Sequence, residues 1–138
     1  MDTVYLTSAE RSLFDALPDS VRNGWQIAEE TLTVAESPAQ RRMRLHLLQL
    51  RDPKLKNFIT EAQGKNSVDE LATFVLSMDL KGVSEADLAE LFFALGPTAL
   101  TLIIADSLKK VKTDDDLDGI NALVTIRHSL LLSMQPIP

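Results

Sequence analysis

The chain has 138 residues, 45% of them apolar and 25% charged, which suits a single globular domain with a real hydrophobic core. It holds no cysteine, so disulfides, thiolate metal sites and cysteine nucleophiles are excluded. The net charge of −6 is unevenly placed: residues 1–36 carry seven acids and two bases, residues 37–66 seven bases and two acids, and residues 67–138 eleven acids and five bases.

Met1-Asp-Thr-Val-Tyr-Leu-Thr lacks a basic region and a long apolar run, so no signal peptide is expected. Helix-start signals then recur along the chain. Thr7–Glu10, Ser37–Gln40, Ser67–Glu70, Ser84–Asp87 and Thr113–Asp116 each place a hydroxyl three residues before an acid or amide. In that spacing the hydroxyl accepts a first-turn N–H, and the later side chain reaches back to the cap's own N–H.

The first helix is predicted from Ser8 to Leu17, with Leu13, Phe14 and Leu17 on one face and Pro18 as its stop. A second begins near Asp19 or Ser20. Val21, Trp25, Ala28 and Leu32 recur along it at helical spacing, although Gly24 weakens it. Ser37-Pro38 opens a third helix that runs to about Arg51, and Asp52-Pro53 opens a fourth with the stripe Leu55, Phe58, Ile59 and Ala62. Gly64 is the expected left-handed stop, and 64–67 is the best place for a subdomain break within one helical domain.

A fifth helix spans about 68–78, a short link covers 80–83, and a sixth helix spans 85–95. Gly96-Pro97 separates it from a seventh helix that reaches about Lys112, and an eighth runs from Thr113 to about Met134. The uncharged stretch from Leu91 to Ala105 is shorter than the roughly 20 residues of a membrane span. It is read as two buried helical segments meeting at the Gly96-Pro97 turn. No segment offers the period-two alternation of a strand. The expected fold is an all-α compact bundle of seven to eight short helices arranged as antiparallel hairpins.

The basic block is the main candidate site: Arg41, Arg42, Arg44, Arg51, Lys54 and Lys56 meet one acid, Asp52. On the third helix Arg41, Arg44 and Arg51 fall near one line, and Met43, Leu47 and Leu50 form an apolar stripe on another side. Such a block can be neutralised within the fold, face a protein, or bind phosphates. No glycine-rich motif or aromatic platform for RNA accompanies it.

Asp114-Asp-Asp116-Leu-Asp118-Gly119 resembles the opening of an EF-hand calcium loop. It departs from that pattern with Asn121 at position eight and Thr125 in place of the bidentate glutamate, so an acidic helix start is the expected role. His46 and His128 are read as packed or solvated side chains, since neither joins a His-Glu-x-x-His pattern. No nucleophile elbow or phosphate-cradling glycine loop is present. No catalytic residue, metal site or cofactor is expected.

The seventh helix is apolar nearly all round, and the eighth carries two stripes: Leu117, Ile120, Val124 and Leu131, then Leu123, Ile126 and Leu130. These faces exceed what one small core needs. The expected function is therefore a non-catalytic, soluble, cytoplasmic interaction or adaptor module. It would bind a protein partner or its own copy through the third, seventh or eighth helix. The alternative is a nucleic-acid-associated regulator using residues 41–56.

Overall fold

The structure, a computed structural model, describes residues 3–34, 36–78 and 82–136. Leu80 and Lys81 of the expected 80–83 link lie outside them, as do Met1 and Asp2. The fold is mostly helical, as expected. The described residues form eight α-helices and one two-stranded parallel sheet. They divide into two compact units: Met1–Val34 with Ile103–Pro138, and Ala35–Leu102.

In the first unit, β1 (Thr3–Leu6) leads into α1 (Ser8–Asp15) and α2 (Asp19–Arg22), followed by β2 (Gln26–Glu29). The two strands pair in parallel from Thr3 with Gln26 to Leu6 with Glu29. Parallel strands need a crossover, and here α1 and α2 supply it.

The sheet departs from the all-helical expectation, and two physical reasons account for it. Gly24 takes a φ of +90° and Asn23 an extended conformation, so the second predicted helix ends after a single turn. Thr3-Val-Tyr-Leu6 is β-branched and aromatic, and it buries alternate residues, Val4 and Leu6, as a one-faced strand does. Phe14, Val21, Ile103, Ile104 and Leu108 add to the core. So do Leu117, Ile120, Val124, Leu130 and Leu131 of α8 (Asp114–Ser133).

The second unit contains α3 (Pro38–Arg51), a 3-10 turn (Pro53–Leu55), α4 (Lys56–Gln63), α5 (Val68–Ser77) and α6 (Glu85–Leu95). It also takes the first part of α7 (Pro97–Lys109). The expected break at 64–67 falls inside this unit, between α4 and α5. Its core joins Leu45, Leu48, Phe58, Ile59, Leu71, Val75, Leu91, Leu95 and Leu100. Gly64 ends α4 with a φ of −78°, so the predicted left-handed stop is replaced by an ordinary right-handed turn. Its N–H is satisfied by the Glu61 and Ala62 carbonyls.

The predicted caps form. The hydroxyls of Thr7, Ser37, Ser67 and Ser84 each accept the N–H three residues on, at 3.1–3.3 Å. In the first turn of α8 the Asp116 carboxylate accepts the N–H groups of Lys112 and Thr113 at 2.8 and 3.1 Å. α6 and α7 bend by 116° at Gly96, and both segments are largely buried there. Among the described residues no single helix is long and apolar enough to cross a membrane.

Candidate functional site

α3 is the element that the sequence singles out, and its burial pattern is the reverse of what its composition suggests. Leu45 and Leu48 face the core, and Arg41, one turn earlier on the same face, is 8% exposed. Met43, Leu47 and Leu50 are 58%, 55% and 67% exposed. Two of the four arginines therefore point toward protein, while three large apolar side chains point toward water.

Arg44 explains much of this inversion. Its guanidinium pairs with the carboxylate of Glu36, whose side chain is 2% exposed. Gly96 makes room for the pair: a Cβ there would collide with both the Glu36 carboxylate and the Arg44 guanidinium. Burial pushes the Arg44 pKa down from its usual value. Arg41 is lowered too, by burial first and by neighbouring Arg42 second. Arg41 makes no ion pair among the described residues, and its long aliphatic stem supplies core contact in place of charge pairing.

At the far end of α3, Arg51 reaches Glu90 of α6 at 2.9 Å, with both side chains well exposed. Arg42, Lys54 and Lys56 are exposed without an ion pair among the described residues. The six-base block is thus split three ways: Arg41 and Arg44 turn inward, Arg51 is tethered to α6, and Arg42, Lys54 and Lys56 are free cations. His46 is exposed on the same side of α3 as Arg42.

The first unit contains a second cluster that the residue patterns did not reveal. Arg127 of α8 donates to both carboxylate oxygens of Glu10, at 2.6 and 2.7 Å, and to the Tyr5 carbonyl at 3.1 Å. His128 stacks on Tyr5 with ring centroids 3.9 Å apart and a 4° interplanar angle. Its Nδ1 lies 2.7 Å from Oε2 of Glu30, a carboxylate that is itself buried.

One signal for this cluster lay in the sequence. Arg127 falls where the stripe Leu117, Ile120, Val124, Leu131 calls for an apolar residue, and an arginine in a buried stripe requires a buried acid. Nothing marks Glu10 or Glu30 as that acid, because Glu10 also reads as an ordinary capping-box residue.

A carboxylate-oriented imidazole can serve as a general base when a hydroxyl or thiol lies within reach. Here no hydroxyl is bonded to His128 among the described residues, and one ring face is covered by Tyr5. A cavity of about 350 Å³ in the same unit is lined by Leu6, Ser8, Arg11, Ile27, Ala28 and Glu29, without any member of the cluster. The cluster holds β1, α1 and α8 together.

The acidic run at 114–118 lies in the first turns of one continuous helix, so its carboxylates spread around the axis instead of wrapping a calcium ion as an EF-hand loop does. Among the described residues no group of three or more His, Asp or Glu side chains could hold a metal ion. α7 places Ala99, Leu100, Ile103, Ile104 and Leu108 inside, and α8 leaves Leu132 as its exposed large apolar side chain. Leu76 of α5 and Phe93 of α6 are also exposed, but only α3 gathers three exposed large apolar side chains, Met43, Leu47 and Leu50, on one helix. No protein-family model, no curated protein and no solved structure matches the chain.

Proposed function

We propose that this protein is a non-catalytic helical interaction module that binds another protein through the outward face of α3. The observation that carries the reading is the exposure of Met43, Leu47 and Leu50 on one side of a single capped helix. Three large apolar side chains in a row at i, i+4 and i+7 form the anchor pattern of helix-mediated recognition. Their burial by a partner would remove apolar surface from water, each side chain contributing on the order of 1–2 kcal/mol. A cytoplasmic setting belongs to the proposal, supported by a chain without cysteine, which suits a reducing compartment.

A photo-crosslinking residue at position 47 tests the reading, with the same residue at exposed Asn57 on α4 as control. The expected result is a protein adduct at 47 and none at 57. No adduct at 47 above the control would overturn it.

The alternative, a nucleic-acid-associated regulator, draws on Arg42, Lys54 and Lys56 as free surface cations. Three such contacts release about three counterions, giving a log–log salt slope of about −3 or shallower. Retention on RNA or DNA with that slope, lost on reversing Arg42 and Lys54 to Glu, is the result this alternative predicts.

A further inference from the structure

We infer that the partner offers α3 an amphipathic helix with an acidic rim, an inference that rests on the interaction reading above. α3 spans Pro38–Arg51 and contains four arginines and no acid. At about 100° per residue, Met43, Leu47 and Leu50 occupy an arc of roughly 60°. His46 and Arg42 flank this arc on one side, and Gln40 and Arg51 on the other; all four are exposed or half-exposed at the helix surface. The stripe runs about 10 Å along the axis, close to two turns. That is the length over which a crossing helix presents anchors at i, i+4 and i+7. The uncompensated charge on this rim is Arg42, since Arg51 on the other side is already paired with Glu90, so a complementary helix carries Asp or Glu beside its apolar residues on the Arg42 side.

The same charges argue against other occupants. A second copy docking through this face would bring the four arginines of one α3 against the same four of the other, and the acids nearest them, Glu36 and Glu90, are already paired with Arg44 and Arg51. An anionic lipid surface would suit Arg42 and Arg51, but it must also approach Glu90, which sits beside Arg51, and a chain of net charge −6. A nucleic acid would leave Met43, Leu47 and Leu50 uncovered against phosphate. An acidic amphipathic helix answers the stripe and Arg42 together. The scaffold is also prepared for it: Ser37 and Gln40 cap α3 reciprocally, Glu36 holds Arg44, and Glu90 holds Arg51.

Fluorescence anisotropy on the whole chain tests this with four probes. The first is a synthetic helical peptide with leucines at i, i+4 and i+7 and glutamates on both flanks. The second is the same peptide with lysine flanks. The third and fourth are phosphatidylserine-containing vesicles and a single-stranded RNA oligonucleotide. The glutamate peptide is expected to bind at least roughly tenfold tighter than the lysine peptide, and Leu47→Asp to weaken it by roughly tenfold or more.

The double variant Arg42→Glu/His46→Glu is expected to invert the preference toward the lysine peptide, a result that misfolding cannot mimic. Equal affinity for the two peptides, an unchanged preference in the double variant, or tighter binding to vesicles or RNA would overturn the inference. An adduct at position 47 alongside any of these leaves the interaction reading standing and removes only its acidic-helix partner. Loss of the adduct as well removes both.

Discussion

Arg127 and Glu10 stand 117 residues apart in sequence and form a two-bonded fork, at 2.6 and 2.7 Å, between side chains only 1% and 2% exposed. Glu10 is also the capping-box residue of α1, accepting the Thr7 N–H at 3.0 Å. One carboxylate therefore fixes the start of a helix and neutralises a charge inside the core. The geometry satisfies the condition under which a buried pair is tolerable, since both oxygens are engaged and Arg127 spends a further N–H on the Tyr5 carbonyl.

Breaking this pair from one side is predicted to cost far more than removing it from both. Arg127→Met leaves a buried carboxylate without its counter-charge, and a loss of about 3–5 kcal/mol is expected in urea denaturation. Glu10→Gln/Arg127→Met keeps the acceptor for the Thr7 N–H and removes both charges. It is expected to recover a large share of that loss. A double variant no more stable than Arg127→Met would show that the charge is not what the arginine satisfies.

Gly96 is predicted to be intolerant of any side chain. Its φ of +90° and ψ of 165° lie in a region reserved for glycine, and a Cβ would strike the Glu36–Arg44 pair. Gly96→Ala combines backbone strain with displacement of a shielded ion pair, for an expected loss of roughly 2–4 kcal/mol by thermal or urea unfolding. Gly82 has a φ of +86° with open space around its Cβ position, so Gly82→Ala carries strain alone and is expected to cost less.

Asp116 gives the acid limb of stability a defined contributor. The Lys112 N–H first, then the Thr113 N–H, hold its carboxyl below the usual value of 3.8, and the positive end of α8 favours the same charge. A depressed folded-state pKa means stabilisation that is present above 3.8 and lost as pH falls through the lower folded value. Asp116→Asn keeps an acceptor and removes the charge. The variant is expected to melt below the parent at neutral pH and to converge with it as pH drops below the folded pKa. A gap that persists unchanged at acid pH would assign the effect to something other than this ionisation.

Much of the helical frame was legible because capping chemistry is local. Ser37, Ser67 and Ser84 needed only the residue three positions on to mark their helices, and Gly96-Pro97 announced the bend between α6 and α7. β2 was not legible: four residues hold too little periodicity, and Trp25, Ala28 and Leu32 imitated a helical face across the Gly24 break. Its pairing with β1 depends on a partner more than twenty residues away, which no local pattern encodes. The basic block was visible as composition, but which arginines face inward was not. For Arg44 that depends on Glu36 and Gly96, neither of which belongs to the block.

α3 offers a last prediction in which adjacent leucines behave oppositely. Leu45 and Leu48 are 1% and 3% exposed and meet the second unit's core, whereas Leu47 and Leu50 are more than half exposed. Leu45→Ala and Leu48→Ala remove packed methyl groups and leave cavities, at an expected cost of about 2–4 kcal/mol each. Leu47→Ala and Leu50→Ala remove surface already in water, and their unfolding midpoints are expected within about 0.5 kcal/mol of the parent. Alanine is at least as good a helix former as leucine, so propensity does not oppose the second pair. If Leu47→Ala or Leu50→Ala proves as damaging as Leu45→Ala in the isolated chain, the stripe is already covered by this protein itself. The face would then be closed to any partner.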